Sequence, residues 1–160
     1  MPTPQKLELG TGSLSREELD ALLNSLPIDI TFVDSTDTVR YFNRLGKRIF
    51  ARTPAVIGRK VQQCHPQKSI DRVNAILSDF KSGKTDSAEF WINLKGRLPL
   101  KEGEQRLEGV HRHLQASGRL QSLIHIRYFA VRDRKGKYLG CLEATQDITG
   151  IKRIEGEKRL

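Results

Sequence analysis

Between Ile124 and Thr149 the chain reads IHIRYFAVRDRKGKYLGCLEATQDIT, and no other stretch limits its fold as tightly. β-Branched and aromatic residues alternate from Ile124 to Val131, Asp133-Arg134-Lys135-Gly136 breaks the run, and a second strand-like run starts at Lys137. Two such runs around a glycine, the residue that takes positive φ at no steric cost, predict a β-hairpin with long arms. Asp147-Ile148-Thr149 closes the second arm, and a charged, helix-prone tail follows.

The segments before the hairpin alternate between strand and helix patterns. Met1 to Gly12 carries Pro, Thr and Gly and reads as a flexible leader. Ser15-Arg16-Glu17-Glu18 fits a capping box, and Leu19, Leu22, Leu23 and Leu26 line one face of the helix it would open, with Pro27 as its stop. Ile30–Val33 and Val39–Phe42 read as strands around an Asp/Ser/Thr turn. Asn43 is placed to cap a helix bearing Leu45, Ile49 and Phe50, and Val56–Val61 reads as a short helical turn. Cys64-His65-Pro66 is a corner, after which Ser69 opens a helix with Ile70, Val73, Ile76, Leu77 and Phe80 on one side, closing near Gly83. Ala88–Lys95 is a third strand. The order predicts an α+β domain on an antiparallel sheet.

Composition removes several function classes. At 160 residues and 37% hydrophobic content, one domain can bury a core, and no apolar run approaches the roughly 20 residues of a membrane-spanning helix. The N-terminus lacks the basic-then-apolar order of a secretory signal, so a cytoplasmic protein is expected. Cys64 and Cys141 are far apart and form no C-x-x-C pair, which argues against a disulfide framework or a cysteine-based metal site. The net charge of +9 invites a nucleic-acid reading, but the basic residues are dispersed, only 6% of residues are aromatic, and no helix-turn-helix or RNA-recognition motif is present. No H-E-x-x-H, P-loop or G-x-S-x-G occurs, so an enzyme is not expected.

Four local patterns, in this order and spacing, resemble the PAS family of sensory modules over about Leu19 to Leu160. They are Asp34 with Val39-Arg40-Tyr41-Phe42-Asn43, Val56-Ile57-Gly58-Arg59 before Cys64-His65-Pro66, the hairpin from Ala130 to Gly140, and the Asp147-Ile148-Thr149 ending. The hairpin's wording is closest to PAS modules of prokaryotic proteins that also carry a hemerythrin-like domain. The resemblance implies a five-stranded antiparallel sheet with short helices on one face, an N-terminal helix, and a C-terminal helical tail over 150–160 that acts as signalling linker. It also implies a sensory and signalling role, with a small ligand or cofactor between sheet and helices, a homodimer, and an effector or neighbouring domain. The alternative is a ligand-free PAS interaction module with its core filled by Phe32, Phe42, Trp91 and Phe129. One segment departs from the family: residues 97–123 intervene where a short turn would join the third and fourth strands, an atypical insertion.

Matching the last strand to the family places Glu143 and Thr145 inward, with Cys141 on the same face, opposite His125, Arg127 and Phe129 of the neighbouring strand. These six are the candidate ligand-binding residues, and an Arg127–Glu143 pair is the expected grip, since a buried carboxylate needs a cation or donors to stay charged. Haem would take His65 or His125 as axial ligand. However, the helix from Ser69 to Gly83, where haem-binding relatives carry their ligand, holds no histidine. Flavin photochemistry is not expected, because nothing from Val56 to Pro66 matches the Asn-Cys-Arg-Phe-Leu-Gln motif of the light-sensing relatives.

Overall fold

The long C-terminal hairpin forms, and the rest of the domain is assembled on it. The computed structural model describes residues 6–44, 48–95 and 121–159. Its elements are β1 (Lys6–Leu9), β2 (Gly12–Ser15), α1 (Arg16–Ser25), β3 (Asp29–Asp34), β4 (Val39–Phe42), α2 (Gln67–Ser82), β5 (Ser87–Lys95), β6 (Gln121–Arg132) and β7 (Tyr138–Asp147). Single 3-10 turns lie at Pro54–Val56, Val61–Cys64 and Ile151–Arg153. β3 to β7 make one antiparallel sheet in the order β4-β3-β7-β6-β5, while β1 and β2 pair only with each other. The 97–123 insertion lies outside the described residues except for its last three, which belong to β6.

Turn chemistry explains the hairpin. The Asp133 carboxylate accepts from the backbone N–H of Lys135 (2.8 Å) and Lys137 (2.9 Å), and Gly136 takes φ 81°. β7 then runs between β6 and β3 with Tyr128 opposite Glu143 and Thr31 opposite Glu143. Residues directly opposite share a face, so Asp29, Thr31, Val33, Ile126, Tyr128, Ala130, Cys141, Glu143 and Thr145 form the inner wall. α2 covers it: Val73, Ile76, Leu77 and Phe80 repeat at helical spacing and pack with Val33, Val39, Val61 and Cys141. At Gly140 the strands come so close that a Cβ would strike the Val33 carbonyl oxygen and meet the Phe32 ring at 2.8 Å.

Four expectations need correction. The leader is not loose up to Gly12: Lys6–Leu9 and Gly12–Ser15 pair as a hairpin leading straight into α1. Its capping box is as expected, with Glu18 N–H donating to Ser15 Oγ (3.1 Å) and Ser15 N–H to Glu18 Oε2 (2.7 Å). Asn43 caps no helix among the described residues, where Arg44 and Arg48–Thr53 have no regular secondary structure; Leu45 lies outside them. Instead the buried Asn43 side chain accepts from Ile30 N–H (2.7 Å) and donates to the carbonyls of Leu23 (2.9 Å) and Ile28 (3.1 Å), tying α1 to β3. The region read as one helical turn over Val56–Val61 is two 3-10 turns that flank it. The tail is one 3-10 turn with no helix through Arg159, since Gly150 and Gly156 lower helicity and no described side chain buries Ile151 or Ile154. Asp147-Ile148-Thr149 does anchor it: Leu123 N–H donates to Thr149 Oγ1 (2.8 Å), Ile148 N–H to the Leu123 carbonyl (2.9 Å), and Thr149 Oγ1–H to Asp147 Oδ1 (2.6 Å).

Replacing Asn43 with Ala leaves three backbone groups unpartnered and is expected to cost about 2–4 kcal/mol. Urea unfolding checks this, with a lowered midpoint at unchanged slope.

Candidate functional site

Most inner walls of such sheets are apolar, but here the middle of the wall is polar. Asp29, Thr31, Glu143 and Thr145 are all buried, at 2%, 1%, 8% and 1% exposure, and lie side by side across β3 and β7. Groups like these are tolerated inside only with partners. The partners come from the irregular segment after β4. Arg44 stands 3.7 Å from Asp29 Oδ1, and Ile49 N–H donates to Asp29 Oδ2 (2.6 Å). Arg48 donates through Nη2 to Thr31 Oγ1 (3.0 Å) and through Nη1 to the carbonyls of Asn43 (2.8 Å) and Ile30 (3.0 Å). Arg52 donates through Nη2 to Glu143 Oε1 (3.2 Å), and Tyr128 O–H donates to Glu143 Oε2 (3.3 Å). Arg44 reaches its place with a φ of 56°, held there by its N–H donating to Asn24 Oδ1 (2.8 Å).

The Arg52–Glu143 pair closes one side of a small cavity between the sheet and α2. Thr31, Tyr128, Cys141 and His65 share its lining with the apolar side chains Val33, Val61, Val73, Ile76 and Leu77. The space is about 20 Å³, where one water needs roughly 10–15 Å³. His65 Nδ1 is 2.9 Å from the Val61 carbonyl, an acceptor only, so Nδ1 carries a proton and donates to it. Burial, reinforced by the Glu143 charge, raises the Tyr128 hydroxyl well above its usual range and pushes the Cys141 thiol up to about 12. Burial also lowers Arg48, against the opposing pull of Asp29.

The expected grip on Glu143 belongs to a different arginine. Arg127 is opposite Ala144, not Glu143, and so points to the outer face, where its guanidinium lies 5.8 Å from the Phe129 ring. Phe129 and His125 share that face, opposite Leu142 and Gln146, and His125 Nε2 is 2.7 Å from Glu89 Oε2. The two-residue period of each strand was legible, but the offset between strands was not, and an offset of one residue exchanges the faces. Glu143, Thr145 and Cys141 do face inward. Of the two haem candidates, His125 is on the wrong side of the sheet, and His65 lines a cavity far below the size of a porphyrin, so these residues do not fit haem. Arg48 and Arg52 were missed because Arg44, Arg48 and Arg52 recur at four-residue spacing, which resembles a solvated helix face. Asp29, in strand alternation with Thr31 and Val33, was the available signal that buried cations were needed.

Comparison with known proteins agrees with this architecture. A PAS domain family model matches residues 19–110, more than half of the chain. This chain belongs to the PAS domain family. The match spans α1 to β5, and the sheet order with β7 in the centre supplies the remaining hairpin. The C-terminal domain of a Streptococcus mutans protein is similar at 30% identity, over 94% of this chain and 98% of that one, with a TM-score of 0.73. A PAS domain from Colwellia psychrerythraea shares the fold at 12% identity, over 84% of this chain and 97% of that one, with a TM-score of 0.52. No curated protein matches the sequence. Among the described residues of this PAS domain, no helix is long and apolar enough to cross a membrane.

Two outcomes follow from the site's electrostatics. Arg52→Gln strands the Glu143 carboxylate without its cation and is expected to cost about 3–5 kcal/mol, whereas Arg52→Met with Glu143→Leu recovers most of that loss, both read by denaturant unfolding. Cys141 ionises only near pH 12 when folded but from about pH 9 when unfolded, so the unfolded state releases its proton first. Stability therefore falls as pH rises from 9 to 12, and Cys141→Ala flattens that part of a Tm-against-pH curve.

Proposed function

We propose that this PAS domain is a sensory and signalling module that takes a small polar molecule in the space between β3, β7 and α2. The observation that carries the reading is the Arg52–Glu143 pair: it joins an irregular segment to the central strand, and both partners line the cavity. A molecule that competes for either partner alters how that segment sits on the sheet. Glu143 lies on β7, whose end is tied to the chain's exit through Asp147 and Thr149, so occupancy has a short covalent route to the tail and to an effector or neighbouring domain. The similar Streptococcus mutans structure is the C-terminal domain of a larger protein, and a place beside other domains in a prokaryotic-type cytoplasmic regulator fits this chain as well. Binding without a reaction is proposed, because the one thiol on the cavity wall is held protonated and is a poor nucleophile.

A second reading, a ligand-free interaction module, is favoured by the size of the cavity and by exposed apolar side chains. Trp91, Phe32 and Phe129 do not fill the core as that reading expected but lie on the outer face, where Trp91 of edge strand β5 is 63% exposed, and Leu22 of α1, Ile151 and Ile154 are also exposed. Under either reading we propose a homodimer through α1, the outer sheet face or the tail.

Native mass spectrometry of freshly purified protein, with an absorption spectrum, separates the readings. The sensory reading expects a dimer mass carrying a small molecule that denaturation releases. A dimer with nothing bound, and no small molecule released on denaturation, supports the interaction module; a monomer at high concentration overturns the dimer.

A further inference from the structure

Charge and donor counts around the cavity are unequal, and the imbalance has a sign. Arg44, Arg48 and Arg52 converge on the inner wall, while the described carboxylates among them are only Asp29 and Glu143. A buried surplus of positive charge is costly unless an anion offsets it. The hydrogen-bond count points the same way. Glu143 already accepts from Arg52 Nη2 and Tyr128 O–H, and Asp29 from Ile49 N–H. The Nε–H groups of Arg48 and Arg52 find no acceptor among the described residues, nor does the buried Thr145 hydroxyl find a partner. Thr31 Oγ1 accepts from Arg48, which leaves its own proton free, and Thr31 lines the cavity beside Arg52. Of these groups Arg52, Glu143 and Thr31 line the cavity, and an acceptor bearing negative charge there would meet Arg52 and the Thr31 hydroxyl, with Arg48 bonded to Thr31 behind them.

We propose that the chamber takes a short carboxylate of about one to three carbons, its oxygens accepting from Arg52 and the Thr31 hydroxyl, with Arg48 behind them supplying the uncompensated charge. The inference rests on the sensory reading above and adds the charge and size of the ligand. As it stands the cavity of about 20 Å³ holds about one water, so even a short acid enters only as Arg52 retreats, and longer acids need a larger retreat; its segment is in no ladder and can yield. His65 is on the same wall, and in its neutral form, with Nδ1–H donating to Val61, its other ring nitrogen accepts from a hydroxyl, so a hydroxy acid is expected to bind better than its deoxy form.

The test uses the whole chain, with sodium formate, acetate, propionate and lactate as ligands, acetamide and lactamide as neutral isosteres, and sodium chloride at matched ionic strength. Binding is read by Tm and by amide ¹H–¹⁵N shifts of Thr31 and Glu143. The acids are expected to raise Tm by about 3 °C or more at saturation, and the amides and chloride by less than about 1 °C. Lactate should outrank propionate. Glu143→Gln removes the competing carboxylate and is expected to tighten acetate by about tenfold, while Arg52→Gln abolishes the response. Equal responses to acid and amide, a response that chloride reproduces, or weaker acid binding in Glu143→Gln overturns the proposal. If either variant fails to fold, the acid-against-amide comparison on the unaltered chain decides alone. A neutral or cationic molecule retained by the purified protein overturns the charge assignment and leaves the sensory reading standing. A chain that retains nothing and responds to none of the acids loses both.

Discussion

β7 has to sit between β3 and β6 in one register, because its two faces do opposite jobs. Cys141, Glu143 and Thr145 look toward α2, while Leu142, Ala144 and Gln146 look away. A slip of one residue would turn a carboxylate out of its ion pair and drive leucine into a polar wall. Three features pin that register: the Asp133 and Gly136 turn at one end, the Thr149 and Leu123 bonds at the other, and the close approach at Gly140 in between. Each acts on a different part of the strand, so no single one has to hold the whole alignment.

With the register set, the inner wall divides into two parts with different energetics. Toward the turn, Val33, Cys141 and Ala130 meet Leu77 and Phe80 of α2, and burial of apolar surface holds the layers together. Toward the other end, Asp29, Thr31 and Glu143 are useless to such a core and stay buried because Arg44, Arg48 and Arg52 reach them, while the buried Thr145 hydroxyl has no partner among the described residues. A buried ion pair adds little net stability over an apolar pair of the same shape, but losing one partner is expensive. The irregular segment carrying the arginines is therefore held by specific bonds more than by packing.

Asn43 links these two halves of the molecule. Its side chain satisfies the end of α1, the start of β3 and the Arg48 guanidinium at once, with Arg48 Nη1 3.2 Å from its Oδ1. The N-terminal helix, the central sheet and the arginine segment thus share one small polar hub. Arg48 is thereby joined to α1 through Asn43, and Arg52 to β7 through Glu143.

Local chemistry alone determined much of this protein. The capping box at Ser15 and Glu18, the apolar spacing of α2, the Asp133–Gly136 turn and the alternation along β7 depend on neighbours a few residues apart, so the sequence displays them directly. They were enough to indicate an α+β domain on an antiparallel sheet, whereas the PAS likeness and the inward Glu143 came from matching short motifs and the last strand to that family. Asn43 looked like a helix cap because an Asn after a strand is ambiguous until its distant partners Leu23 and Ile28 are in place. Only the tertiary structure decided which arginine meets Glu143, since that depends on how β6 is offset from β7 and on where an irregular segment crosses the sheet. Arg127 lies sixteen residues from Glu143 and points away, whereas Arg52 lies ninety-one residues away and makes the contact. Alternation along a strand is local, but the offset between strands and the path of a loop are settled by the packing of the whole domain.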